Sequence, residues 1–269
     1  MSSISLGIVS DEISNDFEEA VGHGLSWGIS QYEIRVLRSG RVPDVEEEEF
    51  KKVIQTAREK GVEITALSPG TFKQHLSQRS DLDRELDETL PRTIALAKGC
   101  SASLIITFGF QREEGEPSSH YDLAVEYMGR AAAIAEKEGI KLAIENEPGF
   151  WADTGVNTLR LIRDVNSSAL GANWDPCNAY GTDEVPYPEG YEAIKPAIIN
   201  VHAKDTLKGA LIQCVPVGEG IIDWQGQVQA LVRDRIVRHI TIETHCHPLV
   251  ENSQKNVQVL RKMLESAKQ

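Results

Sequence analysis

The chain lacks any long apolar run. No hydrophobic stretch approaches the ~20 residues of a membrane-spanning helix, so neither a spanning segment nor a membrane partner is expected. Cysteine is sparse. Cys100, Cys177, Cys214 and Cys246 lie far apart and form no CxxC pair, which argues against a zinc knuckle or a disulfide scaffold and for a reducing, cytoplasmic compartment. Met1 to Ser10 holds no basic stretch ahead of an apolar one, so no secretory signal is expected. Positive charge is also short. The 28 Lys and Arg against 41 Asp and Glu leave a net charge of −13, a surface that repels phosphate backbones and excludes nucleic acid as a partner. Low-complexity tracts and linker-like stretches are absent. The first apolar run leads into GIVSDEIS and not into a glycine-rich phosphate turn.

What is present is alternation. Short β-branched or aromatic runs begin near Ile4, Tyr32, Val62, Leu104, Ile140, Leu170, Ile198 and His239, each of strand length. Between them lie amphipathic stretches: Asp16 to Leu25, Val45 to Lys60, Leu82 to Lys98, Tyr121 to Glu138, Thr158 to Val165, Tyr191 to Ile194, Trp224 to Val232 and Val250 to Ala267. Gly61, Gly99 and Gly139 follow three of them as helix stops. Eight strand–helix units in 269 residues predict a closed (β/α)8 TIM barrel, one α/β domain over residues 1–269, because such barrels need about 250 residues. An open doubly wound sheet is the rival, and the missing glycine-rich turn counts against it.

Strand residues in a barrel alternate between the axis and the helices. Leu142, Ile144, Ile199, Val201, Ile240 and Ile242 take the outward phase in the second half of the chain. The inward phase then holds Ala143 and Glu145, Gly171, Asn173 and Asp175, Asn200 and His202, and Thr241 and Glu243. A purely structural interior would carry Val, Ile and Leu there. Glu145, Asp175, His202 and Glu243 fall at the C-terminal ends of four consecutive strands, where barrel active sites form. Three crowded carboxylates repel one another and lose hydration, and a divalent cation relieves both costs. Three carboxylates and one imidazole suit Mn²⁺ best, with Mg²⁺, Co²⁺ and Zn²⁺ as alternatives. Ordinary ion pairs at the barrel rim are the competing explanation.

The segments LAIENE, NWDPCN, NVHAKD and TIETH, with the loop PVGEGIIDW, resemble the xylose-isomerase-like TIM-barrel superfamily of sugar-phosphate isomerases and epimerases along essentially the whole chain. The resemblance implies that Glu145, Asp175, His202 and Glu243 bind one metal and that Glu145 and Glu243 shuttle protons. An α-hydroxy carbonyl substrate would chelate the cation and pass through an enediolate. Reprotonation on the opposite face would give an epimer, on the adjacent carbon an isomer, and loss of a β-substituent an elimination product.

The chain departs from the ketose 3-epimerases of that group at three substrate-holding positions. Asn178 stands in place of a histidine, Lys208 in place of an arginine, and Trp151 in place of a second glutamate. A different or modified sugar is therefore expected. Endonuclease IV shares the barrel but would need a histidine at Asn178, and DNA repair is not expected.

Further candidates each carry a plain alternative. Glu33 and Arg35 in YEIR take the inward phase and would hold a substrate hydroxyl or phosphate, or form a rim ion pair. Lys204 would bind a substrate oxygen or orient a ligand, or pair with Asp205 in solvent. Glu147 would support the ligand set or cap a helix. Trp151 would stack on a sugar face, and Trp174 should pack under the helices. Phe108 and Phe110 are expected in the core, and His245 and His247 at the pocket rim. His23, His75, His120 and His239 show no partner pattern, and Asp11 and Glu12 are expected to cap the next turn. Gly218 and Gly220 are expected to shape a tight turn, with Asp223 as the following helix cap.

The function expected is a metal-dependent isomerase or epimerase of a small carbohydrate. The alternatives are a lyase or dehydratase on a keto-sugar, keto-inositol or 3-keto-glycoside, and a carbohydrate-binding barrel without catalysis. The resemblance leaves a homo-oligomer open.

Overall fold

A computed structural model describes residues 4–209 and 211–268; the first three residues of the segment read for a leader lie outside them. Eight parallel strands close into a barrel in sequence order. They are β1 (Ser5–Val9), β2 (Gln31–Ile34), β3 (Glu63–Leu67), β4 (Leu104–Phe108), β5 (Lys141–Glu145), β6 (Leu170–Trp174), β7 (Ile198–Ala203) and β8 (His239–Ile242). The strand and helix alternation expected from the sequence is present, as one barrel domain.

The helices are α1 (Phe17–Ser26), α2 (Glu47–Lys60), α3 (Arg79–Arg84), α4 (Leu90–Gly99), α5 (Ser118–Glu138), α6 (Gly155–Val165), α7 (Pro176–Tyr180), α8 (Tyr191–Ile194), α9 (Trp224–Asp234) and α10 (Leu249–Ser266). Their ends follow from local chemistry. The Asp16 carboxylate accepts the backbone N–H groups of Glu18 and Glu19, and Asp223 accepts that of Gly226, as expected of a cap. Gly61 and Gly139 close α2 and α5 at φ 66° and 72°. The stretch read as Leu82 to Lys98 begins earlier, at Arg79, and carries a π turn over Glu85–Thr89. Pro91 has no N–H to continue the ladder, and the ladder widens just ahead of it. The turned-in Glu85 carboxylate accepts the Phe72 N–H at 2.8 Å.

A large apolar layer lies between sheet and helices, and Trp174 is fully buried in it as expected. Ala66, Leu104, Ile106 and Ala143 form a small separate core. Above it the inward face turns polar. The Asn200 amide donates to Asn173 Oδ1 at 3.0 Å, and the Asn173 amide donates to Glu145 Oε2 at 3.1 Å, so a ladder of side-chain amides climbs toward the strand ends. One expectation is corrected. The β6–β7 register slips, with Ala172 opposite Ile198 and Asn173 opposite Asn200, so Ile199 is an extra residue. Its side chain does not point outward at the helices; it lies against Gly171, where a Cβ would come within 2.7 Å. Among the described residues no helix is long and apolar enough to cross a membrane.

His239 opens β8 opposite Ser5, buried, with Gly7 leaving room for its ring. Its Nε2 has no partner, and burial depresses its pKa to about 4. The unfolded chain binds this proton below about pH 6.5 while the folded chain refuses it down to about 4, so the barrel should lose stability as pH falls through that window. Urea unfolding should show this as a decline of up to roughly 3 kcal/mol that His239→Gln removes. An unchanged slope in the variant would mean that His239 is already charged in the fold.

Candidate functional site

The C-terminal mouth of the barrel opens into a cavity of about 360 Å³ lined by Arg35, Arg41, Lys73, Glu145, Lys204, Glu243 and their neighbours. Glu145 ends β5, Asp175 follows β6, His202 lies in β7 and Glu243 follows β8. Each of the four offers a ligand atom within 4.8 Å of the others, and all four are buried. The four residues that share the inward phase in the sequence thus lie together in the fold.

Asp175 precedes Pro176 at the start of α7, and Asp-Pro is a natural cap and first helical residue. One carboxylate oxygen accepts the Asn178 N–H at 2.9 Å, which aims Oδ2 at the mouth. Asn146 exchanges two hydrogen bonds with the Asp175 backbone, at 2.8 and 2.9 Å, and locks the ends of β5 and β6 together. His202 is held from behind. Its Nε2 meets Glu33 Oε2 at 2.9 Å, leaving Nδ1 to face Glu145 at 3.4 Å and Glu243 at 3.7 Å. That Nδ1 is buried and has no hydrogen-bond partner, and Asp175 Oδ2 has no aligned one although Lys204 Nζ lies 2.9 Å away. Two buried polar atoms without a hydrogen-bond partner, inside a three-carboxylate, one-imidazole set, fit a divalent cation.

Lys204 and Arg35 supply the positive charge. Lys204 Nζ lies 2.9 Å from Glu243 Oε2 as well as from Asp175, and does not pair with Asp205. Arg35 spans Glu243 at 2.7 Å, Asp11 at 2.8 Å and Glu12 at 2.7 Å. Burial pushes Glu243 upward, but Lys204, His245 and His202 outweigh it and hold the carboxyl well below the ordinary range. Burial wins at Asp175, whose pKa rises despite Lys204. His202 is raised well above an ordinary imidazole because Glu33, Glu145 and Glu243 outweigh its burial.

Other expectations divide. Glu33 is 1% exposed and contacts His202, so it orients that ring and does not line the cavity. Asn178 lines the cavity, yet its amide donates to Glu145 and to the Asn146 carbonyl. Lys208 is exposed on the turn joining Asp205–Thr206 to Cys214–Val215 and does not line the cavity. Trp151 is absent from the lining too, with its ring against Tyr121 and Arg112. Phe108 is buried as expected but also lines the cavity, under the Lys73 ammonium 3.9 Å from the ring centroid, while Phe110 is core. Glu147 pairs with Lys73 at 2.9 Å. Asp205 organises the glycine turn instead, accepting the N–H groups of Thr206, Gly218, Gly220 and Ile222.

Several contacts at and near the mouth escaped the sequence. Asp11 and Glu12 pair with Arg35 and do not act as the expected caps; Glu12 also accepts from the His245 backbone N–H at 2.8 Å and meets its Nδ1 at 2.6 Å. His245 lines the cavity as expected for the rim. His75 and His120, read as partnerless, both meet the Glu116 carboxylate, which joins two neighbouring loops. Arg41 and Lys73 line the cavity from outside the eight barrel strands, where the inward phase has no reach.

The chain belongs to the xylose isomerase-like TIM barrel family, whose model matches residues 24–263. An uncharacterised protein of Methanocaldococcus jannaschii is 29% identical over 143 residues, 51% of this chain, and the match spans about half, 47%, of that relative's length. Among solved structures, the probable 3-DHS dehydratase AsbF of Bacillus anthracis is 20% identical with a TM-score of 0.80, covering 97% of this chain and 99% of its own. An L-ribulose 3-epimerase is 16% identical with a TM-score of 0.80 over 98% and 96%. A xylose isomerase-like TIM barrel protein from Mycobacterium smegmatis in complex with magnesium is 16% identical with a TM-score of 0.75 over 98% and 97%.

Glu33→Gln should keep the fold and weaken cation binding roughly 10- to 100-fold, because the His202 ring loses its anionic anchor. Calorimetric titration with Mn²⁺ checks it, and wild-type affinity in the variant would remove Glu33 from the site.

Proposed function

We propose that this protein is a cytoplasmic, divalent-metal-dependent isomerase or epimerase of a small carbohydrate, with Glu145 and Glu243 as its proton-transfer pair. The observation that carries the reading is the unpartnered, buried His202 Nδ1 flanked by both glutamates, with Asp175 Oδ2 completing the set. A cation held by Glu145, Asp175, His202 and Glu243 would supply Lewis acidity, polarising a substrate carbonyl and acidifying the carbon beside it. Mn²⁺ suits the donor set, with Mg²⁺, Co²⁺ and Zn²⁺ as alternatives.

The protein's own groups divide the remaining work. Glu243, tied to Lys204 and Arg35, stays ionised and ready to accept a proton. Glu145, at the end of β5 and approached by the Asn173 amide from β6 and the Asn178 amide from α7, stands on the other side of His202 and serves the opposite face of the substrate. Two carboxylates on two faces are what inversion at one carbon requires. The partner is a small carbohydrate, with neither nucleic acid nor membrane involved, and a homo-oligomer is compatible with the reading.

A second reading rests on Lys204. Its ammonium lines the cavity 2.9 Å from Glu243 and would protonate a departing β-hydroxyl, giving a lyase or dehydratase. The dehydratase AsbF supports this as a fold relative.

Incubation of the Mn²⁺-loaded protein with a panel of ketoses, keto-inositols and 3-keto-glycosides in D₂O separates the readings. Deuterium in a recovered sugar or its epimer supports the first, and an unsaturated product the second. Glu145→Gln and Glu243→Gln should each reduce turnover at least ~100-fold. Near-normal turnover in Glu243→Gln would end the proton-transfer assignment.

A further inference from the structure

The positive groups at the mouth are not equivalent. Arg35 is engaged by Asp11, Glu12 and Glu243, Lys204 by Asp175 and Glu243, and Lys73 by Glu147. Arg41 has no carboxylate within ion-pairing distance among the described residues. It ends the hairpin of Val36–Leu37 and Gly40–Arg41 that follows β2. Its Nε donates to the Ser68 carbonyl at 3.1 Å, just past β3. The guanidinium rests on Gly70, at φ 81°, where a Cβ would lie 3.1 Å from Arg41 Cζ. Glycine therefore makes the seat, the Ser68 carbonyl fixes the near edge, and the terminal nitrogens are left for the cavity that Arg41 lines. Burial and the neighbouring Arg35 pull its pKa below the ordinary arginine value.

Its place in the barrel gives that free fork a use. Ser68 and Lys73 follow β3, and β3 stands four strands round the ring from β7, which carries His202. A molecule filling the cavity would thus meet Glu145 and Glu243 on one side and Arg41 on another. Lys73, over the Phe108 ring and shared with Glu147, adds a second cation on the same side.

We propose that Arg41, assisted by Lys73, is an oxyanion subsite, and that the substrate is an acidic carbohydrate whose carboxylate or phosphate docks there. A half-buried guanidinium with an uncommitted planar fork matches two oxygens of either group, and a neutral hydroxyl would leave its charge uncompensated. This rests on the reading of the mouth as a carbohydrate site, but its test does not need turnover.

The test is titration calorimetry on the metal-free full chain with three probes: inorganic phosphate, D-glycerate and glycerol. At least one anion should bind ten-fold or more tightly than glycerol. Arg41→Gln should weaken that binding at least ten-fold, and Arg41→Lys should weaken it less, because charge remains while the fork is lost. If Arg41→Gln does not fold, Arg41→Lys decides alone, and a loss of three-fold or more supports the subsite. Preference for phosphate identifies a phosphate ester, and preference for glycerate a carboxylate. Anion binding no tighter than glycerol, or unchanged in both variants, would overturn the proposal. Absence of deuterium exchange from that panel and from the corresponding sugar phosphates and sugar acids would defeat the proton-transfer reading and leave the anion result standing.

Discussion

Burying charge of one sign is the constraint from which the rest of this site follows. Asp11, Glu12, Glu33, Glu145, Asp175 and Glu243 converge at the top of the barrel, and among the described residues only Arg35 and Lys204 meet them as fixed cations. An uncompensated buried carboxylate costs several kcal/mol. The fold responds by sharing: Arg35 serves three carboxylates, Lys204 serves two, and His202 is pulled toward its charged form by three. Negative charge still exceeds positive charge there, an imbalance that a divalent cation would offset.

Precision comes from neutral groups around that charge. The Asn200–Asn173–Glu145 ladder, the reciprocal Asn146–Asp175 pair and the Asn178 amide fix the carboxylates without adding charge. Glu33 chooses which nitrogen of His202 faces the mouth. Asp205 gathers four backbone N–H groups and so shapes the glycine turn beside Lys204. These contacts place the reactive atoms on rigid strand ends, so that a bound substrate would meet a preorganised wall.

The division of the mouth explains how one cavity can discriminate. Strands β5 to β8 bring the ligand set, and the hairpin and loop after β2 and β3 bring Arg41 and Lys73. The first group is built on barrel strands, whose spacing is set by backbone hydrogen bonds. The second is carried by connecting segments, which can change without disturbing the barrel. In the proposed reading, chemistry and substrate choice are thereby separated onto different parts of the chain.

The barrel and the four candidate ligands were legible in the sequence because period-two alternation is a local property. Glu145, Asp175, His202 and Glu243 stand in phase with apolar neighbours such as Ile144, Val201 and Ile242 that had to face the helices. Alternation fails where a bulge adds a residue, as at Ile199. It is also silent about loops: the resemblance put Trp151 and Lys208 at substrate-holding positions that do not line the cavity, Asp11 and Glu12 were expected as caps, and Arg41 was passed over. Pairing across 208 residues, as between Arg35 and Glu243, depends on closure of the barrel, since only closure returns β8 to the side of β1 and β2. The linear chain thus determined which side chains share the axis, through the two-residue repeat of a strand. The tertiary structure alone decided which of them touch, because contact across a closed ring depends on register and loop path.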